Sequence, residues 1–226
     1  MIVSMRKLNF NIVSFVSPSS PKEWMEDCIN SVKMQTVSST HHIFVDKDQK
    51  LATQNHFETL QKIEPVSSNI VVHLDGDDSL INPRALEILE RQYQDPEVWC
   101  TYGNYVSRGP SVCKPLDNKP FRHCILNGGW RYSHLRTFRA HLIPYLKEEH
   151  CKDTMGNWYA AAADVAVFLP MLEMSGKDRV RFINEDLVYY RIHNNCNHTR
   201  RDLAYNQIRC AYELSARKPF NRLESI

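Results

Sequence analysis

The chain has 226 residues, 42% hydrophobic and 24% charged, with a formal net charge of +2 at neutral pH. That length suits one large domain or two small ones, and so even a charge balance excludes the strong basic stripe of a dedicated nucleic-acid binder. No apolar run approaches a membrane span and no secretory signal is visible at the start. Seven cysteines at irregular spacing, without a Cys-x-x-Cys pair, argue for reduced thiols in a cytosol-like compartment rather than a disulfide framework.

Asn9 to Ser17 reads as a buried strand ended by Pro18-Ser19-Ser20-Pro21. A helix follows over Pro21 to Met34, with Trp24, Cys28, Ile29 and Val32 recurring at helical spacing and Pro21 suited to the first turn. His41 to Asp46 is a second strand ending in an acid, Leu51 to Ile63 a helix, and Asn69 to Asp75 a third strand. Asn82 is a good N-cap and Pro83 a good first helical residue, with Leu86, Leu89 and Tyr93 on one face. Glu97 to Asn104 is a fourth strand. The alternation β-α-β-α-β-α-β predicts a parallel sheet with right-handed crossovers. Ligands then bind beyond the carboxyl ends of the strands, where Ser17, Asp46 and the acids at 75–78 can converge.

Arg108 to Trp130 is loop-like, His134 to Phe138 a strand, and a helix follows to Lys147. Ala160 to Ser175 is a helix closed by Gly176, Arg179 to Ile192 reads as strands around an Asn184-Glu185-Asp186 turn, and Asp202 to Ala216 is a final helix. No linker stands out, so one domain is expected, with a nucleotide-binding half to about residue 104 and an acceptor-side half beyond it. The late cluster Arg200, Arg201, Arg209, Arg217, Lys218 and Arg222 fits a solvated helix face, with phosphate attraction as the sharper alternative.

The most informative segment is Leu74-Asp75-Gly76-Asp77-Asp78, at the end of the third strand. Three carboxylates so close repel one another, and a cation among them relieves the repulsion. Asp75 and Asp77, one residue apart on a loop leaving a strand, form the core of a divalent site for Mg²⁺ or Mn²⁺ with phosphate oxygens and water. The plain alternative is an acidic turn before a helix. The run His193-Asn194-Asn195-Cys196-Asn197-His198 lacks four ligands at zinc spacing.

Taken together, several segments resemble the GT-A nucleotide-sugar glycosyltransferases, close to the large family 2 type. They are Asn11 to Pro18 as the opening strand, Cys28 to Thr36 as the first-helix signature, Phe44-Val45-Asp46, Leu74 to Asp78 as the Asp-x-Asp motif, and Tyr190-Arg191-Ile192-His193. The resemblance spans about residues 9 to 200. It implies a Rossmann-like, mostly parallel central sheet flanked by helices, and transfer of a sugar from a nucleoside diphosphate, UDP by family habit, to a glycan or protein-glycan acceptor. It implies that Ser17 and Pro18, with Asp46, hold the nucleoside and that Asp75 faces the ribose or the metal, with Gly76 in the same loop. Asp77 is then a direct ligand of Mn²⁺ or Mg²⁺, Asp78 lies near the donor sugar, and His193 is the third metal ligand, a nitrogen that suits Mn²⁺ better. Arg191, Arg200 and Arg201 become diphosphate contacts. Where the family carries Glu-Asp, this chain has Ala163-Asp164, so Asp164 keeps the place of the general base without its neighbour. The processive synthases' Gln-x-x-Arg-Trp signature is absent, which favours transfer of single sugars. Trp130, Tyr132 and Trp158 are candidates to stack on acceptor sugars or to pack the core.

The overall wording also resembles capsid-glycan glycosyltransferases of large algal viruses, which implies a cytoplasmic site of action, the host's if viral. The ending at 221–226 fits a piece of a longer multidomain chain. Three rivals remain. A haloacid-dehalogenase-like phosphohydrolase also uses strand-Asp-x-Asp, with the first Asp as nucleophile, but near its N-terminus. A nucleotidyltransferase would need a glycine-rich loop after the first strand, and residues 17–21 contain no glycine. A non-catalytic nucleotide-sugar binding module is the third.

Overall fold

A computed structural model describes residues 6–17, 20–45, 50–109, 111, 113–127, 129–193 and 201–225. The expected alternation is present: β1 (Asn9–Val16), α1 (Lys22–Lys33), β2 (Ser39–Val45), α2 (Ala52–Leu60), β3 (Asn69–His73), a short β4 (Ser79–Leu80), α3 (Ala85–Tyr93) and β5 (Cys100–Val106). Then come a one-turn α4 (His123–Leu126), β6 (Arg136–Arg139), α5 (Ala163–Ser175), β7 (Val180–Tyr189) and α6 (Arg201–Ala216), with 3₁₀ turns at Ala140–Tyr145, Glu148–Cys151 and Lys177–Arg179. No described helix is long and apolar enough to cross a membrane.

The seven strands form one sheet in the order β2-β1-β3-β6-β5-β7-β4. β1 pairs in parallel with β2 and β3, and β5 with β7. β6 is antiparallel to both β3 and β5, and β4 is antiparallel to β7. The sheet is therefore mostly parallel, as expected, but the fourth strand of the alternation does not sit beside the third: β6, from later in the chain, is inserted between them. This insertion places His73 opposite Arg136 and brings an arginine into the middle of the sheet.

Both faces of the sheet are covered, which is why β3 reads as a nearly unbroken apolar run. Alternate residues serve opposite layers. Phe10, Ile12, Ile70, Val72 and Leu74 join Leu86, Leu89 and Tyr93 of α3 in one core, while Val13, Val71 and Phe138 join Leu60 of α2 and Val165, Phe168 and Leu172 of α5 in the other. α5 is apolar on nearly every side because it is buried on nearly every side.

Several local readings shift. The helix after Asn82 begins at Ala85, because the Asn82 side chain accepts the Arg84 N–H at 2.8 Å and spends one more turn as an Asx turn. Residues 140–145 form a 3₁₀ turn rather than a helix to Lys147, since Pro144 lacks the N–H that α-helical pairing needs. The supposed turn at 184–186 is an irregularity within β7, where pairing with β5 jumps from Ile183 to Asp186. Gly176, at φ +74°, closes α5 as expected.

Arg139 ties the inserted strand to the segments that lead into its two neighbours, β3 and β5. Its guanidinium lies over Tyr93 and donates to the carbonyls of Ser67, Tyr93, Asp95 and Val98 at 2.6–2.9 Å. Beside it His141 packs edge-on against Trp99 with centroids 4.7 Å apart, and both ring nitrogens are buried without a hydrogen-bond partner among the described residues. Burial, then the cations Arg139 and Arg179, push the His141 pKa down from 6.5 to about 4. A histidine whose folded pKa is lowered costs stability as pH falls through its unfolded value, until the folded value is reached. Between pH 7.5 and 5.0 this one group is expected to remove about 2 kcal/mol. His141→Phe should therefore narrow the gap in urea-denaturation stability between those two pH values by that amount; an unchanged gap would contradict the assignment.

Candidate active site

The acidic loop leaves β3 and turns directly over the end of β1. The Gly76 N–H donates to the Phe15 carbonyl at 3.0 Å and the Asp78 N–H to the Asp75 carbonyl at 3.0 Å, which folds the loop back on itself. Its three carboxylates then point to three different partners. Asp75, about a third exposed, accepts from Arg136 Nη2 at 3.2 and 3.3 Å. Asp77 Oδ2 lies 2.8 Å from His193 Nε2, joining residues 116 apart in sequence. Asp78 is wholly buried, and its Oδ1 accepts the Arg191 backbone N–H at 2.9 Å.

Arg191 clips the segment after β7 to this loop. Besides its backbone bond to Asp78, its Nε donates to the Asp77 carbonyl and its Nη2 to Asp27 of α1, both at 2.9 Å. The guanidinium lies over Trp24 and Tyr189. His193 packs against Trp24 with centroids 4.7 Å apart. Trp24, Arg108, Tyr189, Arg191, Ile192 and His193 line a cavity of about 420 Å³ beside the Asp77–His193 pair.

Beneath the loop lies a second layer of polar groups that no motif announced. His134 Nδ1 is 3.9 Å from Asp75 Oδ2 and 3.7 Å from Asp78 Oδ2, and the His134 ring stacks on Tyr190 at 4.7 Å. His56 of α2 stacks on Phe15 at 4.0 Å and meets His73 edge-on at 5.1 Å. Arg136 lies between Asp75 and the first turn of α5, where its Nη1 is 3.6 Å from Asp164 Oδ2.

These contacts set the charges. Burial opposes ionisation of Asp75, but the Arg136 guanidinium overcomes it and holds the carboxyl well below the usual range. Burial, then Asp75, raises Asp77, with His193 opposing. Burial, then Asp75 and Asp77, pushes Asp78 well above its ordinary value. Burial also raises Asp164, with Arg136 opposing and Asp75 reinforcing. Burial, then Arg136, drives His134 down to about 3 and keeps it neutral.

Two groupings could hold a cation. Asp75, Asp78 and His134 offer ligand atoms within 4.8 Å of one another, and Asp78 Oδ2 and His134 Nδ1 are buried without hydrogen-bond partners among the described residues. In that trio Asp78 and His134 are closed to solvent while Asp75 is about a third exposed, and a guanidinium already lies beside it. Asp77 and His193 are both partly open, 28% and 16% exposed, and offer one oxygen and one nitrogen, a donor set that suits Mn²⁺. Among the described residues the chemistry of both sets fits a divalent ion.

Of the residues singled out from sequence, Asp75 and Asp164 meet through Arg136, and Asp77, with Gly76 before it, meets Arg191 and His193 beside the cavity; Ser17, just after β1, is exposed. Pro18, Asp46 and Arg200 lie outside the described residues. Asp78 does not face the crevice: it is taken up by Arg191 and closed off beneath His134, so a place beside the donor sugar does not fit it. Tyr132 is a core residue, 1% exposed, and is not available to stack on a sugar. Trp130 and Trp158 are half-buried against the α5-side core. Arg136, His134, His56 and His73 went unread. The available signal was polar residues at i and i+2, His134 and Arg136, in a predicted strand; their importance depends on that strand lying beside β3.

No protein-family model matches the chain, and no curated protein matches it in sequence. Solved structures match it in fold. S. aureus TarS 1–349 aligns over 92% of this chain and 70% of its own, at TM-score 0.53 and 12% identity, and its complex with UDP at TM-score 0.54. The mannosyl-3-phosphoglycerate synthase of Rubrobacter xylanophilus aligns over 90% of this chain and 73% of its own at TM-score 0.55 and 10% identity. The mannosyltransferase PcManGT of Pyrobaculum calidifontis, solved with GDP-Man and Mn²⁺, aligns over 94% and 65% at TM-score 0.58 and 10% identity. The chain thus has the α/β fold of GT-A glycosyltransferases: a mostly parallel seven-stranded sheet with flanking helices.

The loop geometry depends on Gly76. A Cβ there would lie 2.6 Å from the Phe15 carbonyl oxygen and 2.5 Å from Val16 Cγ2, whereas one on Gly109 would meet nothing within 4 Å. Forcing a methyl against strand backbone costs about 1–3 kcal/mol. Gly76→Ala should lose stability in that range by thermal denaturation while Gly109→Ala stays near wild type; equal behaviour of the two would show that the loop does not rest on β1.

Proposed function

We propose that this protein is a metal-dependent glycosyltransferase that moves a sugar from a nucleoside-diphosphate sugar, with UDP as the favoured carrier, to a hydroxyl of a glycan or protein-glycan acceptor. The observation that carries this reading is the Asp77–His193 pair at the mouth of a crevice, 2.8 Å apart and clipped together by Arg191, in a fold shared with a mannosyltransferase solved with GDP-Man and Mn²⁺. When bound there, a divalent cation supplies the charge that steadies a departing diphosphate.

The chain's own residues take the remaining roles. Asp77 and His193 hold the ion, and Asp75 faces the donor ribose or the ion's outer side. Ser17 and Pro18, with Asp46, bind the nucleoside. The bond formed joins the acceptor oxygen to the anomeric carbon, the bond broken joins that carbon to the diphosphate, and the acceptor proton goes to Asp164. A carboxylate raised by burial, as Asp164 is, is better matched to accepting a hydroxyl proton than an exposed one. A hexose donor follows from the family resemblance, and transfer of single residues from the absence of the processive synthases' Gln-x-x-Arg-Trp signature.

The hydrolase alternative asks the first acid of the motif to act as a nucleophile. Asp75 accepts from Arg136 through both carboxylate oxygens, which lowers its nucleophilicity and favours the transferase reading.

Thermal-shift measurements over a panel of nucleotide sugars, with and without Mn²⁺, test the proposal. One donor should stabilise the protein, and more so with Mn²⁺. Asp77→Ala should abolish the metal-dependent increment, and an unchanged increment would remove Asp77 from metal binding.

A further inference from the structure

We infer that Arg136 is the positioning residue of the reaction: its guanidinium sets the acceptor-side acid Asp164 at a fixed place relative to the donor-side acid Asp75. The inference rests on the reading of Asp164 as the base.

Asp164 is the second residue of α5, with an alanine before it and no acid neighbour. Among the described residues, Arg136 is the one cationic side chain that pairs with it. Arg136 comes from β6, the antiparallel strand inserted beside β3, and is 3% exposed at the side chain. Nη2 faces both oxygens of Asp75 and Nη1 faces Asp164, while Nε is buried with no partner among the described residues. The guanidinium is therefore held by two carboxylates, one from the loop after β3 and one from α5. A planar fork with donors on separate nitrogens fixes the spacing of two acids; a lysine ammonium, a single point charge on a flexible stem, does not.

The backbone supports the same placement. Ala162, the residue that leads into α5, has φ +57°, a left-handed conformation unusual for a residue with a Cβ, and it is buried. Such a conformation persists only where its surroundings hold it. Here it turns the chain so that the first helical turn presents Asp164 toward Arg136.

Arg136 touches no reacting atom in this account, so the test must separate positioning from support of the fold. Arg136→Lys, Asp164→Asn and the double variant are compared with wild type, using the nucleotide sugar selected by the thermal-shift panel. Arg136→Lys should remain folded and bind UDP with Mn²⁺ within about threefold of wild type, yet lose at least about thirtyfold in kcat with little change in donor KM. If Arg136 acts through Asp164, adding Arg136→Lys to Asp164→Asn should cost nothing further. Asp164→Glu, which leaves Arg136 intact and moves the carboxylate by one methylene, should also lose turnover; it keeps the test open if Arg136→Lys does not fold. Full kcat in Arg136→Lys or Asp164→Glu, or losses that multiply in the double variant, would overturn the inference. Full activity of Asp164→Asn would instead sink the base assignment on which it stands.

Discussion

Three carboxylates within four residues cannot all stay ionised in a partly dry crevice unless positive charge is brought to them. The architecture around the loop answers that requirement unevenly. Arg136 faces Asp75, His193 faces Asp77, and Arg191 reaches Asp78 with its backbone N–H and Asp77 with its side chain. These groups come from two parts of the chain: Arg136 from the inserted strand, Arg191 and His193 from the segment after β7. The fold is therefore not a neutral platform for the acids. Strand order decides which cation meets which carboxylate.

That division gives the two sides of the crevice different electrostatic characters. Asp75, beside a guanidinium, remains charged across the whole physiological range. Asp77 and Asp164 are raised by burial and respond to what binds near them. A cation entering at Asp77 and His193 adds charge where no guanidinium faces the carboxylate, whereas Asp75 already has the permanently cationic Arg136. The buried Asp75–Asp78–His134 trio, with Arg136 next to it, has less need of an ion. Its unpartnered atoms, Asp78 Oδ2 and His134 Nδ1, face each other across 3.7 Å.

Much of this was legible in the sequence for identifiable physical reasons. The β-α alternation of the first hundred residues follows from apolar periodicity switching between 2 and 3.6, and the acidic loop announces itself by the cost of packing three acids together. Tyr190 to His193 could be placed near that loop only through family resemblance, because nothing in 116 residues of separation predicts the contact. Pairing order was not legible. Local pattern finds β6 as a strand, but its insertion between β3 and β5 is a tertiary choice, and with it went the role of Arg136. Asp78 was misplaced for a related reason. Its type and position suit a sugar contact, while its burial depends on Arg191 arriving from a distant strand.

A crystal of the protein soaked with UDP and Mn²⁺, measured at the manganese edge, tests the central claim most directly. The account predicts one strong anomalous peak within bonding distance of the Asp77 carboxylate and His193 Nε2, touching the UDP diphosphate, with Asp75 still on Arg136. Nucleotide bound elsewhere, with Asp75 and Asp77 facing bulk water and no manganese between them, would contradict it.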